Sequence, residues 1–463
     1  MKKIAFFCIP AHGHTNPMLP VAAELVRRGN TVRFYSFNEF EDKINATGAE
    51  FVACEAYLPK LTEREEVGLK NVSATEMTVQ DIRITLRMDR FLDEEFKSFQ
   101  PDVVYTDAVC FWGKLNAIKR RIPMVVSTCT FAFNRLSYQY MKNSPRELAD
   151  MLFGLPRISR ELKKLKSYGY HTNGFLSLVQ NDNRTDTVVY TSRRFQPYAE
   201  SFSNRYAFVG PSVFSKAVPD KSKDRPLVYI SLGTVVNDRP DFYAKCIEAF
   251  RDQNLDVVIS CGKAIDLETL GTLPENIRAY PYVNQLDVLA RADVFITHCG
   301  MNSVSESLYM ATPTVLYPQT NEQRAVARRV AEFGAGRILI DDSVHGVRSA
   351  VYEILNDSGY RRAAETCSID FRSCSGAAGA AEFIENAPHS SDGIDVVDEL
   401  NRASMKFLLL YWSVVAAAVS LAGFLISWRY AWIVGVSAAI FSNPIGKVMQ
   451  KWKYASILRR VQK

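Results

Sequence analysis

Tyr282-Val-Asn-Gln-Leu-Asp-Val-Leu-Ala-Arg-Ala-Asp-Val-Phe-Ile-Thr-His-Cys-Gly-Met-Asn-Ser-Val-Ser-Glu306, followed by Pro318-Gln-Thr-Asn-Glu-Gln323, decides the fold of this chain. The apolar run Val294-Phe-Ile-Thr297 predicts a buried strand. It ends at His298 and a glycine turn at Gly300, and a helix is expected to begin near Ser303. A strand–turn–helix of this kind aims the unpaired N–H groups of a helix start into the turn, which suits an anion such as a diphosphate. His298 adds a side-chain donor, and Asn302 and Ser303 can cap the helix or donate to phosphate oxygens. Glu306 lies one turn further on, where a carboxylate can accept from both hydroxyls of a ribose.

Similar strand patterns surround this unit. Leu227-Val-Tyr-Ile-Ser-Leu-Gly-Thr234 opens a βα series that continues through Val257–Ser260, Ile277–Tyr280 and Thr314–Tyr317. The first 210 residues alternate in the same way. Ile4–Ile9, Thr31–Ser36, Asp102–Thr106 and Met124–Ser127 read as strands, with helices at Pro17–Arg28 and Gly113–Arg121. Alternation of this kind predicts α/β architecture with doubly wound parallel sheets. The polar, proline-bracketed stretch 211–226 reads as a linker, so two Rossmann-like domains are expected, 1–210 and 227–390, facing across a cleft. Residues 76–98 and 134–180 are longer and less regular, and would supply helices and loops at the carboxyl ends of the strands.

Two polar residues stand where the first domain would open into that cleft. Ala11-His-Gly-His-Thr-Asn-Pro17 follows the first strand, with Asn16 as a cap and Pro17 in the first turn of the helix. A histidine there feels the positive end of the helix dipole, which lowers its pKa and favours a neutral base. Asp107 ends the strand Val103-Val-Tyr-Thr-Asp. It is either the partner of that histidine or a cap for the helix near Gly113. Phe131, Phe133 and Tyr138 follow a strand and read equally well as the lining of an apolar pocket or as core.

Composition narrows the possibilities. A net charge of +6 with no aromatic-laced basic stripe gives no sign of nucleic acid. Nine scattered cysteines without a Cys-x-x-Cys pair fit reduced thiols in a cytosol. The sequons at Asn71 and Asn183 carry no meaning there. The start Met1-Lys-Lys-Ile-Ala-Phe-Phe-Cys-Ile is too short an apolar core for a signal peptide and reads as the first strand.

The tail differs from the rest. Phe407–Trp428 is 22 residues without a charge. At 1.5 Å per residue it spans about 33 Å, enough to cross a bilayer core. Arg429 interrupts, Tyr430–Gly446 is again uncharged, and a basic tail follows over 447–463. Residues 405–446 therefore read as a single span or a hairpin. The positive tail favours the hairpin, with the two α/β domains membrane-associated on the cytoplasmic side. The basic run Arg157–Lys166 reads as a solvated face or a contact with anionic lipid.

The stretch 282–323 resembles the donor-binding signature of the UDP-glycosyltransferases with the GT-B fold (glycosyltransferase family 1). Within them it is most similar to the bacterial macrolide-type members. The resemblance covers roughly residues 1–388. It implies an inverting transferase that moves a hexose, most simply glucose, from a UDP-sugar to a hydroxyl of an acceptor, and the membrane tail with the aromatic stretch after Thr128 suggests that the acceptor is lipophilic. It implies no metal and no cofactor, and the chain has no Asp-x-Asp. His14 of Gly-His-x-Asn-Pro would be the base, with Asp107 as its partner. His298, Gly300, Asn302 and Ser303, with Gly233 and Thr234, would meet the diphosphate. Glu306 would hold the ribose, and Glu322 and Gln323 the sugar. Where the family has Trp-x-Pro-Gln, this chain has Tyr282-Val-Asn-Gln285. Tyr282 would stack on the base, with Val283 pairing its edge and Gln285 kept, but Asn284 loosens the loop. Ala311 stands where glycine is common. A GT-B nucleotide-sugar epimerase and a non-catalytic sugar-nucleotide sensor are the rival readings. The Gly-His-x-Asn-Pro motif and the membrane tail weigh against the epimerase, and an intact His14–Asp107 pair against the sensor.

Overall fold

The computed structural model describes the chain except residues 71–72, 142–144, 173–177, 179–184, 214–217, 222–223, 235–236, 263–264, 391–395, 426–445, 447, 449–450, 458 and 460–463. Two parallel sheets carry the fold. The first contains β1 (Lys3–Phe7), β2 (Thr31–Ser36), β3 (Glu50–Ala53), β4 (Val103–Asp107), β5 (Met124–Thr128), β6 (Asp186–Val189) and β7 (Tyr206–Phe208). The second contains β8 (Leu227–Ser231), β9 (Asp256–Ser260), β10 (Ile277–Tyr280), β11 (Val294–Thr297), β12 (Thr314–Leu316) and β13 (Gly336–Ile338). Helices cover both faces of such sheets, so the central strands are buried and largely apolar; β4, β8 and β11 are buried at every residue. This is the expected GT-B frame of two Rossmann-like domains.

Strand order places the functional loops. The first sheet runs β3-β2-β1-β4-β5-β6-β7 and the second β10-β9-β8-β11-β12-β13. Order reverses between β1 and β4 in the first, and between β8 and β11 in the second. Loops at such a switch point diverge to opposite faces and leave a crevice at the carboxyl ends of the strands. In register, Phe7 pairs with Thr106 and Ser231 with Thr297. The residues just beyond are His14 and Asp107 in one sheet, and Gly233 and His298 in the other.

Several expectations shift. The first helix begins at His12, five residues before Pro17, and takes Ala11 as its extended N-cap. Asn16 is therefore not a cap, and Pro17 lies inside the helix. The irregular stretch 76–98 is one amphipathic helix, Ala74–Phe99, started by Ser73, whose hydroxyl accepts from Glu76 N. The second domain does not keep its last helix. Gly376–Glu385 crosses back, and its Ala380, Ala381 and Ile384 join the core of the first sheet. The small-residue run Gly376-Ala-Ala-Gly-Ala-Ala381 lets it lie close to helix His12–Arg27, and Arg28 closes the contact on Glu385 at 3.1 Å.

The linker is pinned to the second domain. Lys221 Nζ donates to the carbonyls of Leu289 and Ala292 and to Thr312 Oγ1 at 2.8, 2.6 and 2.9 Å. In the tail, helix Val396–Leu425 roots Val396 and Leu400 against Leu136. From Arg402 to Ser420 it is long and apolar enough to cross a membrane, with a mean hydropathy of 1.5 and its side chains largely exposed. Residues 451–457 are helical and return to the same place, with Ile457 fully buried beside Leu136 and Leu400. Residues 426–445, which hold Trp428, Arg429 and nearly all of the second apolar segment, lie outside the described residues, as do the sequon asparagines Asn71 and Asn183.

Candidate active site

Helix His12–Arg27 presents His14 at its third position, and β4 presents Asp107 at its last. Asp107 Oδ2 lies 2.9 Å from His14 Nδ1. The carboxylate is 1% exposed and the imidazole 27%. Val109 N donates to Asp107 Oδ1 at 3.0 Å and fixes the carboxyl plane. The aspartate is the histidine's partner and not a helix cap. The helix dipole does not set the base. Burial pulls the His14 pKa down, but Asp107 and Cys129 beside it carry it well above the ordinary histidine value. The expected lowering is thus reversed, because a contact at 2.9 Å outweighs a partial charge spread over a helix end. His12 turns away, with Nε2 2.9 Å from Glu39 and its ring edge-on to Phe40.

Two residues that the sequence reading left out complete this corner. Cys129 Sγ is 3.3 Å from His14 Nδ1. Thr130 Oγ1 donates across the cleft to Glu322 Oε1 at 2.8 Å. The available signal was topological. β5 is the neighbour of β4, so the residues following it open into the same crevice.

In the facing domain, His298 is clasped by two glycines. A Cβ on Gly233 would fall 2.5 Å from its Cε1, and one on Gly300 2.5 Å from its Nε2. Gly233 also holds φ +77°, a conformation that costs side-chain-bearing residues about 1–2 kcal/mol. Burial drops the His298 pKa to about 4, against an opposing Ser231 backbone interaction, so the ring is a neutral donor at pH 7. The helix starts at Met301 with Gly300 as an extended N-cap and no side-chain cap, two residues earlier than expected. Asn302 and Ser303 sit in the first turn, not at the cap. Asn302 Nδ2 reaches over to Gly13 O at 2.6 Å.

Glu306 Oε2 accepts from Gln285 Nε2 at 2.7 Å, and Tyr229 OH donates to Gln285 Oε1 at 3.2 Å. Burial raises the Glu306 pKa to about 7, with the Gln285 contact opposing it. Tyr282 is 76% exposed, an open ring face at the rim, with Val283 beside it. Thr234 is exposed at the lip. Gln323 has a second duty, since its Oε1 accepts from Gln319 N and Thr320 N and closes the capping box of helix Asn321–Glu332. Of the aromatics, Phe131 is 1% exposed in an apolar cluster that joins Phe195 of the first domain to Cys299 and Met301 of the second. It is packing. Phe133 is partly buried and touches Tyr138, which is open. Ala311 holds φ +54°, which explains why glycine suits that position.

Comparison with known proteins finds relatives that share the fold over most of the chain. Residues 213–369 match the family described as UDP-glucoronosyl and UDP-glucosyl transferase. The NDP-glycosyltransferase YjiC of Bacillus licheniformis is 33% identical over 395 residues, covering 83% of this chain and 97% of that protein. The demethyllactenocin mycarosyltransferase of Streptomyces fradiae is 31% identical over 400 residues, 83% of this chain and 86% of that protein. The crystal structure of the kitacinnamycin glycotransferase superposes with a TM-score of 0.70 at 26% identity, covering 83% of this chain and 98% of that one. With the two-domain fold in common and identity above 30% over nearly all of such a relative, the chain belongs to the UDP-glycosyltransferase family.

Proposed function

We propose that this glycosyltransferase moves a hexose, glucose in the first instance, from a UDP-sugar to a hydroxyl of a lipophilic small molecule or lipid. Configuration inverts, and neither metal nor cofactor takes part. The observation that carries this reading is the 2.9 Å His14–Asp107 pair facing the anion turn of the other domain. His14 Nε2 takes the acceptor proton while Asp107 holds Nδ1–H and steadies the imidazolium. The alkoxide attacks the anomeric carbon from the side opposite the diphosphate. Neutral His298 and the N–H groups after Gly300 meet the charge that develops on the leaving group. Glu306 takes the ribose hydroxyls, Tyr282 stacks on the base and Glu322 grips the sugar.

The lipophilic acceptor rests on the tail and on one helix of the first domain. Helix Pro145–Ser167 exposes Leu152 and Phe153, the latter at 81%, beside Arg160, Lys163 and Lys166. Arg157 of the same run is engaged by Glu65 and Glu76 and is not part of that face. An apolar and basic surface of this kind suits an anionic bilayer. The return of residues 451–457 to Leu136 supports a hairpin, with the enzyme membrane-associated on the cytoplasmic side.

The test is incubation of the detergent-solubilised full-length protein with UDP-glucose and a panel of sterols, flavonoids, macrolides and glycerolipids. One added hexose on a panel member, seen by mass spectrometry with UDP release, is the expected result. Sugar epimerisation without an acceptor, or binding without turnover, would replace this reading.

A further inference from the structure

Three side chains of different chemistry converge at the base. Cys129 Sγ lies 3.3 Å from His14 Nδ1 and 3.7 Å from Nε2. Asp107 Oδ2 lies 2.9 Å from Nδ1. The three donor atoms fall within 4.8 Å of one another. They arrive from three elements: the helix after β1, the end of β4 and the loop after β5. The two separations from Nδ1, 2.9 Å to Asp107 and 3.3 Å to Cys129, are near the edges of a zinc tetrahedron, about 3.3–3.6 Å for bonds of about 2.0–2.3 Å. An imidazole, a carboxylate and a thiol with one position left for water form a donor set that zinc accepts. Inversion at the anomeric carbon needs His14 and Asp107 but gives no reason for a sulfur at this distance.

We propose that His14, Asp107 and Cys129 form a site for a thiophilic divalent cation of the zinc class, and that occupancy switches the transferase off. The ion binds as Zn²⁺ and undergoes no redox change. The Cys129 thiol proton leaves to solvent and the sulfur binds as thiolate. The imidazole binds through Nδ1, so its remaining proton must sit on Nε2, the atom that takes the acceptor proton. Where His14 is charged, its second proton is also released. A metal on one ring nitrogen thereby fixes the wrong tautomer for catalysis. This effect on turnover rests on His14 being the base; the site itself does not.

Cobalt is the probe, added to the detergent-solubilised full-length protein. One equivalent should give the intense visible bands of a tetrahedral ion and a near-ultraviolet thiolate charge-transfer band. Cys129→Ser and Cys129→Ala should lose the charge-transfer band, whereas Cys374→Ser, at the other partly exposed cysteine, should keep it. In parallel, the zinc concentration that halves transferase activity should rise at least tenfold in Cys129→Ser, and a chelator should restore the wild type. Absence of the band in the wild type, or its survival in both Cys129 variants, would overturn the site. A band at Cys129 without loss of turnover would keep the site and remove His14 as the base.

Discussion

Pro17 and Asn302 act on the same carbonyl from opposite domains. Proline has no N–H, so the Gly13 carbonyl, four residues back in the helix, loses its helical donor. Asn302 Nδ2 takes that place from across the cleft at 2.6 Å. Proline in this motif therefore does not start the helix; it leaves an acceptor for the facing domain. A double-mutant cycle should show the coupling. Asn302→Ala alone is expected to cost about 1 kcal/mol of unfolding free energy, and clearly less in a Pro17→Ala background, where the helix supplies its own N–H. Equal costs in both backgrounds would show that the two are independent.

Under the proposed mechanism the His14–Asp107 pair sets the acid limb of activity. A base whose pKa is raised is protonated, and inactive, over a wider acidic range. The rate of acceptor transfer should therefore climb with pH through a value above the ordinary histidine range. Asp107→Asn should move that limb to lower pH while reducing the plateau, because the partner that raised the pKa also stabilised the imidazolium. His14→Ala should cost about a hundred- to ten-thousand-fold in kcat. An unmoved limb in Asp107→Asn would assign it to another group.

If Glu306 holds the ribose as proposed, donor binding should release protons. Its carboxyl titrates near pH 7 in the free protein, and accepting two ribose hydroxyls favours the charged form. UDP binding at pH 7 should thus release a fraction of a proton, measured by calorimetry in buffers of different ionisation enthalpy. The release should vanish in Glu306→Gln. The wild type should prefer UDP over 2′-deoxy-UDP by roughly tenfold or more, and the variant should lose most of that preference, since bonds to a charged group are worth about 1.5–3 kcal/mol.

Gly233→Ala and Gly300→Ala each place a methyl 2.5 Å from the His298 ring. Both should lower Tm, by roughly 1–3 kcal/mol of stability, and weaken UDP binding further by displacing the imidazole. Gly271→Ala also meets a positive φ but nothing within 4 Å, so it serves as the control for strain without collision. Equal UDP affinity in all three would show that the imidazole does not touch the diphosphate.

The tail should behave as an integral segment. Full-length protein is expected in the membrane pellet after an alkaline carbonate wash. A charge at the middle of the exposed helix, Leu410→Arg, costs about 2.5–3.5 kcal/mol of insertion and should shift protein to the supernatant. Wild-type protein in the supernatant would leave only surface association.

The order of legibility follows from where the information sits. The central apolar run Val294–Thr297 and the β-branched and aromatic side chains of Thr31–Ser36 announce strands, and both hold their bounds. Glu50–Ala53 and Gly336–Ile338 did not stand out, because edge strands of three or four residues carry too little apolar signal. His14, Asp107 and His298 were legible because strand ends and glycine turns mark the crevice. Cys129 and Thr130 were not, since their part depends on which strand lies beside β4, and order within a sheet is written in no local pattern. Phe131 could not be told from a pocket wall by composition, because an interdomain core and an apolar pocket use the same residues.

Helix Gly376–Glu385, which leaves the donor half to pack on the first sheet, bears on how such enzymes can be recombined. Exchanging acceptor halves with one junction in 211–226 would seat this helix on a foreign surface and uncouple Arg28 from Glu385. A working chimera needs two crossovers, the second just before Gly376, so that the final helix travels with the half it covers.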